Sequence, residues 1–478
     1  DSTAYYPNQT DNYAQQHAQL SINHRFTPQW SLSATAHYTH GAGYYEQYKR
    51  KKLSYWGLPL TSSPNTKAYG MYRKQLDNHF FGGVLAAKYI SEPVDLQFGG
   101  AANYYLGDHF GTLHYLADIP LPISNSPYPY EYYRNSANKI DANTYAKLNW
   151  RIINRAQESL TLYADLQYRY VRYSRDGIND EDMTDLPLTV NYHFFNPKAG
   201  LTYRNKGHLL SASFAVANRE PSRNNYKENV LFDPTTNTYT GLPKAETLYD
   251  YELGYTFAHQ RFTLGANLYF MDYDNQLILT GEYNDVGAYK TKNVKDSYRM
   301  GVELTAGVQI LPWLRWDANV VVSRNKILNY HQYIDLYDNQ NDWNWVGQDS
   351  VVGTTTIAFS PTCTAMSLFT FDTHGFTATV QTQVVSRQFL DNTQDVNAML
   401  RAYSTTNVNL QYLLPMQKWC NNAKAPNLRL LCQINNIFNA KYANNGGAEA
   451  SRFMDASRCC WYYAQAGINV HAGFSIQF

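Results

Sequence analysis

Aromatic side chains that could bind a ligand are concentrated in three long, polar segments of this 478-residue sequence. The groups are Tyr44, Tyr45, Tyr55 and Trp56; Tyr128, Tyr130 and Tyr132 with Arg134; and Tyr330, His331, Trp343 and Trp345. Planar rings with phenolic donors suit aromatic or amphipathic ligands, and arginine suits the carboxylates of such ligands. The pattern predicts ligand-binding surfaces. For any single residue, packing between loops or a position at a membrane interface explains it equally well.

Motifs for enzyme chemistry are absent from the sequence. It has no GxSxG, HExxH or GxxxxGK[ST] segment. His109, His114 and His331 have no partner at a suitable spacing, and the acidic groups near Asp176 and Asp335 miss the calcium-loop pattern. The five cysteines form no CxxC pair. We therefore expect that the protein is not an enzyme and that it has neither a metal site nor a cofactor.

The composition excludes other classes of protein. The mean hydropathy is −0.51, and no apolar run approaches the roughly 18 residues of a membrane helix. The formal net charge of +1 gives no sign of a nucleic-acid partner. Tyrosine, with 43 copies, outnumbers Lys plus Arg, with 40, and its amphipathic ring suits the boundary between lipid and water.

Apolar and polar residues alternate strictly in several stretches. From residue 467 to 478, one face carries Ile468, Val470, Ala472, Phe474, Ile476 and Phe478. Residues 140–152, 160–170 and 262–270 behave in the same way. Period two indicates strands, and about eleven residues is the length that a tilted strand needs to cross a bilayer. Because the opposite faces are too polar for a β-sandwich core, we predict an all-β, transmembrane antiparallel β-barrel.

Short turns alternate with long connections, as in outer-membrane barrels. No domain seam appears within residues 1–478. We predict about seventeen strands, at 13–27, 29–40, 79–90, 94–107, 138–153, 159–175, 188–204, 208–219, 246–258, 261–280, 290–310, 313–326, 349–372, 376–390, 403–414, 427–441 and 460–478. The long connections, 108–138 and 328–345 among them, are predicted to lie outside the membrane, and these two to approach each other over the ligand.

Seven short segments in order along the chain carry a family resemblance. They are HGAGYYEQYK (40–49), LDNHFFGG (76–83), GDHFG (107–111), ANREPSR (217–223), ETLYDYELGY (246–255), QINNIFNAKY (433–442) and YAQAG (463–467). Together they resemble the TonB-dependent outer-membrane transporters, especially the Bacteroidota-type receptors for iron chelates. The final strand ending on Phe478 is similar to the signal that the barrel-assembly machinery reads in such proteins.

The resemblance implies an active-transport receptor in the bacterial outer membrane. Such a receptor would import a scarce nutrient, first of all a ferric chelate or siderophore, through a plugged barrel energised by the TonB complex. Outer-membrane lipid and the small-molecule chelate would be its other partners. Four other readings stay open: a passive porin, a haem receptor, a cobalamin receptor, and a docking platform for a surface lipoprotein.

The resemblance also implies that about 17 of 22 strands are present. We expect an N-terminal plug and the first strands to be missing from this sequence, and to be supplied as a companion chain or by the same polypeptide. Arg169, Arg219 and Arg387 are predicted to face the lumen. There they would guide an anion or pair with carboxylates of the plug.

Overall fold

The computed structural model describes residues 11–58, 66–117, 129–178, 185, 187–283, 289–338, 344–419, 426–449, 451–455 and 457–477. Among these residues no helix is long and apolar enough to cross a membrane. The described elements are, in chain order, β1 (Asp11–Arg25), β2 (Trp30–Lys52), a 3-10 turn (Leu53–Trp56), β3 (Lys67–Ile90), β4 (Val94–Leu116), β5 (Tyr130–Arg155), β6 (Glu158–Gly177), β7 (Leu188–Asn205), β8 (His208–Arg219), α1 (Arg223–Asn229), β9 (Leu231–Asp233), β10 (Thr238–Thr240), β11 (Glu246–Ala258), β12 (Phe262–Tyr283), β13 (Tyr289–Leu311), β14 (Leu314–Tyr337), β15 (Trp345–Thr356), β16 (Cys363–Thr373), β17 (Phe376–Val385), β18 (Gln388–Phe389), β19 (Met399–Leu400), β20 (Tyr403–Leu414), α2 (Met416–Trp419), β21 (Asn427–Asn435), β22 (Ala443–Ala448), β23 (Arg452–Phe453), β24 (Cys460–Ala464) and β25 (Asn469–Gln477).

The described chain forms two compact units. Unit 1 comprises Asp1–Trp150, Tyr163–Pro197 and Tyr226–Leu242, and unit 2 comprises the remaining residues. In unit 1, β1 to β5 pair in sequence order, and every pairing is antiparallel. In unit 2, β8 pairs with β11, and the antiparallel order continues through β12, β13 and β14. It then passes through β16, β17, β20 and β21 to β25.

Every predicted strand has a counterpart, which confirms the all-β antiparallel prediction, but several strands extend further than predicted. The predicted loop at 41–78 is largely strand, because β2 continues to Lys52 and β3 begins at Lys67. Likewise β4 runs to Leu116 rather than ending near residue 107. Outside a bilayer neither face needs to be apolar, so the alternation that marks a strand disappears while the backbone ladder continues.

One predicted strand is divided into two. Residues 349–372 form β15 and β16, and both pair with the same neighbour, β14. Between them Phe359 has a φ of 52°, and Pro361 has no N–H to donate to a ladder. Together the two strands fill a single position in the sheet.

The last predicted strand, 460–478, is shorter than predicted. Cys460–Ala464 pairs instead with β22, and only Asn469–Gln477 pairs with β21. Asn436 interrupts the ladder: its amide donates to the carbonyls of Ala440 at 3.0 Å and Ala466 at 3.1 Å. β21 therefore ends at Asn435 rather than at residue 441. Phe478 lies outside the described residues.

The strands of unit 1 carry one apolar and exposed face. Leu20 is 66% exposed, Leu85 is 53% exposed and Phe98 is 47% exposed. Aromatic pairs mark the two edges of this apolar band, with Trp30 and Tyr89 5.0 Å apart near the short turns and Phe81 and Tyr104 5.5 Å apart at the far edge. From Trp30 to Tyr38 the strand covers about 26 Å at about 3.3 Å per residue. A tilted strand crosses a bilayer in about 9–11 residues, so an exposed apolar stretch of this length between aromatic girdles is typical of a strand wall in lipid.

The opposite face of unit 1 is polar and bonded. Arg169 contacts Asp141 at 2.5 Å, Lys147 contacts Asp165 at 3.5 Å, and Gln97 donates to the Tyr145 hydroxyl at 2.8 Å. Unit 2 shows the same division: Trp313 and Phe371 stack at 5.9 Å on its apolar face, whereas Arg299 donates to Ser360 at 2.9 Å on its polar face.

A charge introduced at the middle of the apolar band should destabilise the protein. Leu85 pairs with Ala34, midway between the two girdles. We expect Leu85→Arg to lower the free energy of unfolding by about 2–4 kcal/mol, because the guanidinium would face hydrocarbon. Urea titration of the protein folded into lipid vesicles measures this loss. Ala86→Arg is the matched control, since Ala86 lies on the polar face; equal losses in the two variants would contradict the assignment of faces.

Candidate functional site

The outer ends of β2 to β5 hold a packed group of aromatic residues, which we call the outer aromatic cluster. It lies on the polar face, beyond the apolar band. Its members are Leu53, Trp56, Leu58, Ala68, Tyr72, Leu113, Leu116, Tyr132 and Tyr133, with Tyr55 and Tyr130 packed against it.

A 3-10 turn brings two rings into this cluster. Leu53–Trp56 follows β2 directly, and Gly57 ends the turn with a φ of 61°, a conformation that favours glycine. The Trp56 indole then lies over Gly70, where an added Cβ would stand 2.6 Å from the ring. Trp56 and Tyr72 meet edge to face at 5.9 Å, and Tyr55 and Tyr72 at 5.8 Å. Such contacts add to the energy of burying the rings.

Two lysines give the cluster positive charge. The Lys51 ammonium lies 4.8 Å from the centre of the Tyr55 ring, and the Lys74 ammonium lies 5.9 Å from it. Tyr72 donates its hydroxyl to Gln47 at 2.7 Å. Tyr55 is only half-buried, so its ring and both ammonium groups form the part of the cluster that a ligand could reach. This arrangement suits a planar, anionic molecule.

The structure brings some of the predicted residues of unit 1 together and separates others. Tyr130 and Tyr132 belong to the outer aromatic cluster, and Tyr132 is only 3% exposed. Tyr45 lies on the same polar face, paired with Lys74. Tyr44 lies on the opposite face, with the Arg73 guanidinium 4.2 Å from its ring. Tyr128 lies outside the described residues.

Arg134 is not the cation of the outer aromatic cluster. It lies on the other face of β5, where it bonds Glu131 at 2.7 Å and Asp108 at 3.2 Å and stacks over Phe110 at 4.2 Å. The lysines that do contact the cluster were missed by the sequence analysis. Lys74 could have been found, because it is two residues from Tyr72 and therefore shares its face.

The predicted residues of unit 2 lie on two faces. Tyr330 is buried with Ile278, Val294, Ile327 and Ile357, and the Lys292 ammonium is 4.6 Å from its ring. His331 faces the other way and meets Tyr333 edge to face at 4.5 Å. Trp345 is 61% exposed, and its indole donates to Asp335 at 3.2 Å. Trp343 lies outside the described residues.

Two of the three predicted lumenal arginines are paired with carboxylates of the strands. Arg169 forms two hydrogen bonds to Asp141, at 2.9 and 2.5 Å. Arg219 donates to Glu246 at 3.0 Å, and the same carboxylate accepts from the Leu277 amide at 2.7 Å. Arg387 lies exposed between β17 and β18. We expected these arginines to pair with carboxylates of a plug, but Arg169 and Arg219 already pair with carboxylates of neighbouring strands.

A buried ionic network, missed by the sequence analysis, ties together two connections of unit 2. Arg458 is 2.6 Å from Asp391, and Arg452 is 3.0 Å from Asp395. The Arg458 side chain is 0% exposed and that of Asp391 is 2% exposed. The carboxylates precede β19, whereas Arg452 begins β23 and Arg458 follows that strand, so no local spacing indicates the pairs. Cys460 packs beside them; its thiol donates to the Asn397 carbonyl at 3.4 Å, and burial raises its pKa.

Comparison with known proteins identifies the family. The family described as "TonB dependent receptor-like, beta-barrel" matches residues 1–437. The chain therefore belongs to the TonB-dependent receptor β-barrel family. Members of this family reside in the bacterial outer membrane, which agrees with the exposed apolar band and its girdles. No curated protein matches the sequence as a relative.

Solved structures share the fold. The ferric yersiniabactin uptake receptor FyuA from Yersinia pestis has a TM-score of 0.62 at 14% identity, over 98% of this chain and 62% of that one. The copper transporter OprC gives 0.65 at 14% identity, over 98% and 66%. The ferric citrate transporter FecA gives 0.63 at 14% identity, over 98% and 62%. This chain thus spans less than two thirds of the length of these proteins.

The family assignment confirms the resemblance found in the sequence. The Bacteroidota type, the plug and the additional strands stay predictions. So does the approach of the segments 108–138 and 328–345, since residues 118–128 and 339–343 lie outside the described part of the chain.

Removal of Arg458 from the ionic network should loosen the segments that it joins. Arg458→Met would leave the buried Asp391 carboxylate without its closest cation, which we expect to cost about 3–5 kcal/mol. Hydrogen exchange of the amides in residues 386–402 measures the free energy of local opening. Arg315→Met is the control, because the Arg315–Asp317 pair is exposed and is expected to contribute about 0–1 kcal/mol. Unchanged exchange in Arg458→Met would contradict a structural role for the network.

Proposed function

We propose that this chain forms most of the barrel of an outer-membrane receptor for an anionic metal chelate, and that the chelate first binds at the outer aromatic cluster. The observation that carries the proposal is the juxtaposition of Tyr55 with Lys51 and Lys74 beyond the apolar band. A ferric siderophore is the ligand class we favour, because such chelates combine planar groups with negative charge.

The geometry of the strands supports a receptor with a built outer vestibule. β3 has 24 residues and β5 has 26, whereas a tilted strand crosses a bilayer in about 9–11 residues. The surplus lies on the side of the long connections, which is the outer side in such barrels. A hydrogen-bonded wall there holds the cluster in place, so a ligand meets rings that are already ordered.

Import of the bound chelate would follow the scheme of the family. In this proposal a plug and the TonB complex supply the energy-coupled step, and the paired arginines on the polar face leave a surface of nearly balanced charge along the route. A passive porin would need neither partner, so the requirement for energy separates the two functions.

Binding is tested first on the purified whole receptor. Ferric citrate, a ferric catecholate, haemin and cobalamin are the probes, and quenching of tryptophan fluorescence is the readout. We expect a ferric chelate to bind, and Lys51→Met and Lys74→Met each to weaken its binding about tenfold, because each removes a cation next to the aromatic surface. Lys52→Met, an exposed neighbour in the sequence, is the matched control and should leave binding unchanged. Equal affinity in all four proteins would remove the cluster from the site.

Transport is tested in a deletion strain with the chelate as its sole source of metal. We expect the wild-type receptor to restore growth only while TonB is present and the proton-motive force is intact. Growth that persists without TonB would favour the porin. If only haemin or cobalamin binds, the chain would still be a receptor, but its ligand would not be a ferric siderophore.

A further inference from the structure

A second group of side chains on unit 1 has the composition of a metal site. His40, Asp77 and His79 offer donor atoms that all lie within 4.8 Å of one another. The group lies on the face opposite the outer aromatic cluster, so it takes no part in the proposed chelate site. We expected no metal site from the sequence; residues 40 and 77–79 are far apart in it, and strand pairing brings them together.

The register of β2 and β3 brings the three residues together. His40 pairs directly with His79, and Asp77 precedes His79 by two residues and therefore shares its face. The two imidazole rings stack with their centres 4.7 Å apart and their planes 20° from parallel. The His40 Nε2 is 2.8 Å from the Asp77 Oδ1, and the His79 Nε2 is 3.7 Å from the same oxygen.

A neighbouring hydroxyl orients one of the histidines. The Tyr38 hydroxyl lies 2.8 Å from the Nδ1 of His79. In the tautomer in which Nδ1 carries the proton, His79 donates a hydrogen bond to the Tyr38 hydroxyl. Its Nε2 is then unprotonated, faces Asp77 and has a lone pair available for a metal ion. Histidine ligands in metal sites are commonly held in this way by a second hydrogen bond.

We propose that His40, Asp77 and His79 bind a divalent transition metal ion of the zinc class. Two imidazoles and one carboxylate match the ligand preference of such ions. Around a tetrahedral ion with bonds of about 2.0–2.2 Å, the ligand atoms stand about 3.3–3.6 Å apart. The observed 2.8 and 3.7 Å lie on either side of that spacing, so small side-chain rotations complete the site.

The surroundings leave the remaining coordination position accessible. Asp77 borders a groove of about 520 Å³ that is also lined by Ala14, Ala42, Tyr44 and Phe110. His40 and His79 form the next pair on the same face after Tyr38 and Phe81, at the outer edge of the apolar band. The site is therefore at the level of lipid headgroups, where water or a phosphate oxygen can complete the coordination.

Direct binding of zinc tests the proposal. Untagged protein, freed of metal, is titrated with zinc chloride against a chromogenic chelator. We expect one zinc ion more per chain than in the His40→Ala/His79→Ala variant, and an affinity at least about a hundredfold lower in Asp77→Asn. His37→Ala is the matched control, because His37 is on the same strand but faces the other way and bonds Asn103 at 2.9 Å. Tyr38→Phe should weaken binding by about tenfold or more, since it removes only the orienting hydrogen bond.

Two further measurements do not depend on the chelator. X-ray absorption spectroscopy at the zinc K edge should show two imidazole nitrogens and a carboxylate oxygen as ligands. Zinc should also raise the urea midpoint of the wild-type protein and of His37→Ala, but not that of Asp77→Asn, because an ion bound only to the folded state stabilises it. Equal zinc content in wild type and the double variant, or a spectrum with oxygen ligands alone, would overturn the proposal and leave a hydrogen-bonded surface group.

Discussion

Backbone hydrogen bonding in lipid is the constraint on which the rest of this structure depends. An unpaired N–H or C=O within hydrocarbon costs several kcal/mol, so strands can cross only in a continuous ladder. In unit 1 the ladder between β2 and β3 is unbroken from Trp30 and Tyr89 to Lys52 and Lys67. The side chains are then free to serve the two environments: apolar residues face lipid, and polar residues bond one another on the opposite face.

The same ladder gives the outer surface its order. Beyond the girdles the strands are no longer held by lipid, yet they remain paired, and the 3-10 turn at Leu53–Trp56 adds its rings to a surface that is already in place. Because these residues are already ordered, they would lose little conformational entropy on binding a ligand. In unit 2 the buried ion pairs of Arg458 and Arg452 hold two connections together, as the backbone ladder holds the strands.

The parts of the fold that lipid dictates could be predicted from the sequence, and the parts outside it could not. Phe262, Leu264 and Ala266 alternate because one face of β12 must be apolar, and the structure pairs them with Val308, Ala306 and Leu304 on the same face. Beyond the girdle that requirement ends, so the continuation of β2 to Lys52 leaves no alternating pattern. The aromatic residues of the candidate site were visible as a group, with Tyr130 and Tyr132 among them. The side on which Arg134 lies was not, because it follows from strand register rather than from local composition.

The division of one sheet position into β15 and β16 has a mechanical consequence. β16 pairs with the first half of β14, which carries the lipid-facing residues, and β15 pairs with the second half. Residues 357–362, between them, contribute only isolated bonds to β14, such as those from Ile357 to Asn325 and from Ser323 to Thr362. Their other backbone bonds go to a different part of the chain: the Phe359 amide donates to the Phe389 carbonyl and the Ala358 amide to the Asn392 side chain, both at 2.9 Å. The hairpin that carries Trp345 is also tied at its outer end, where Leu336 and Tyr337 pair with Arg452 and Phe453. A load on this hairpin is therefore shared between β14, β23 and the residues that hold the segment 357–362.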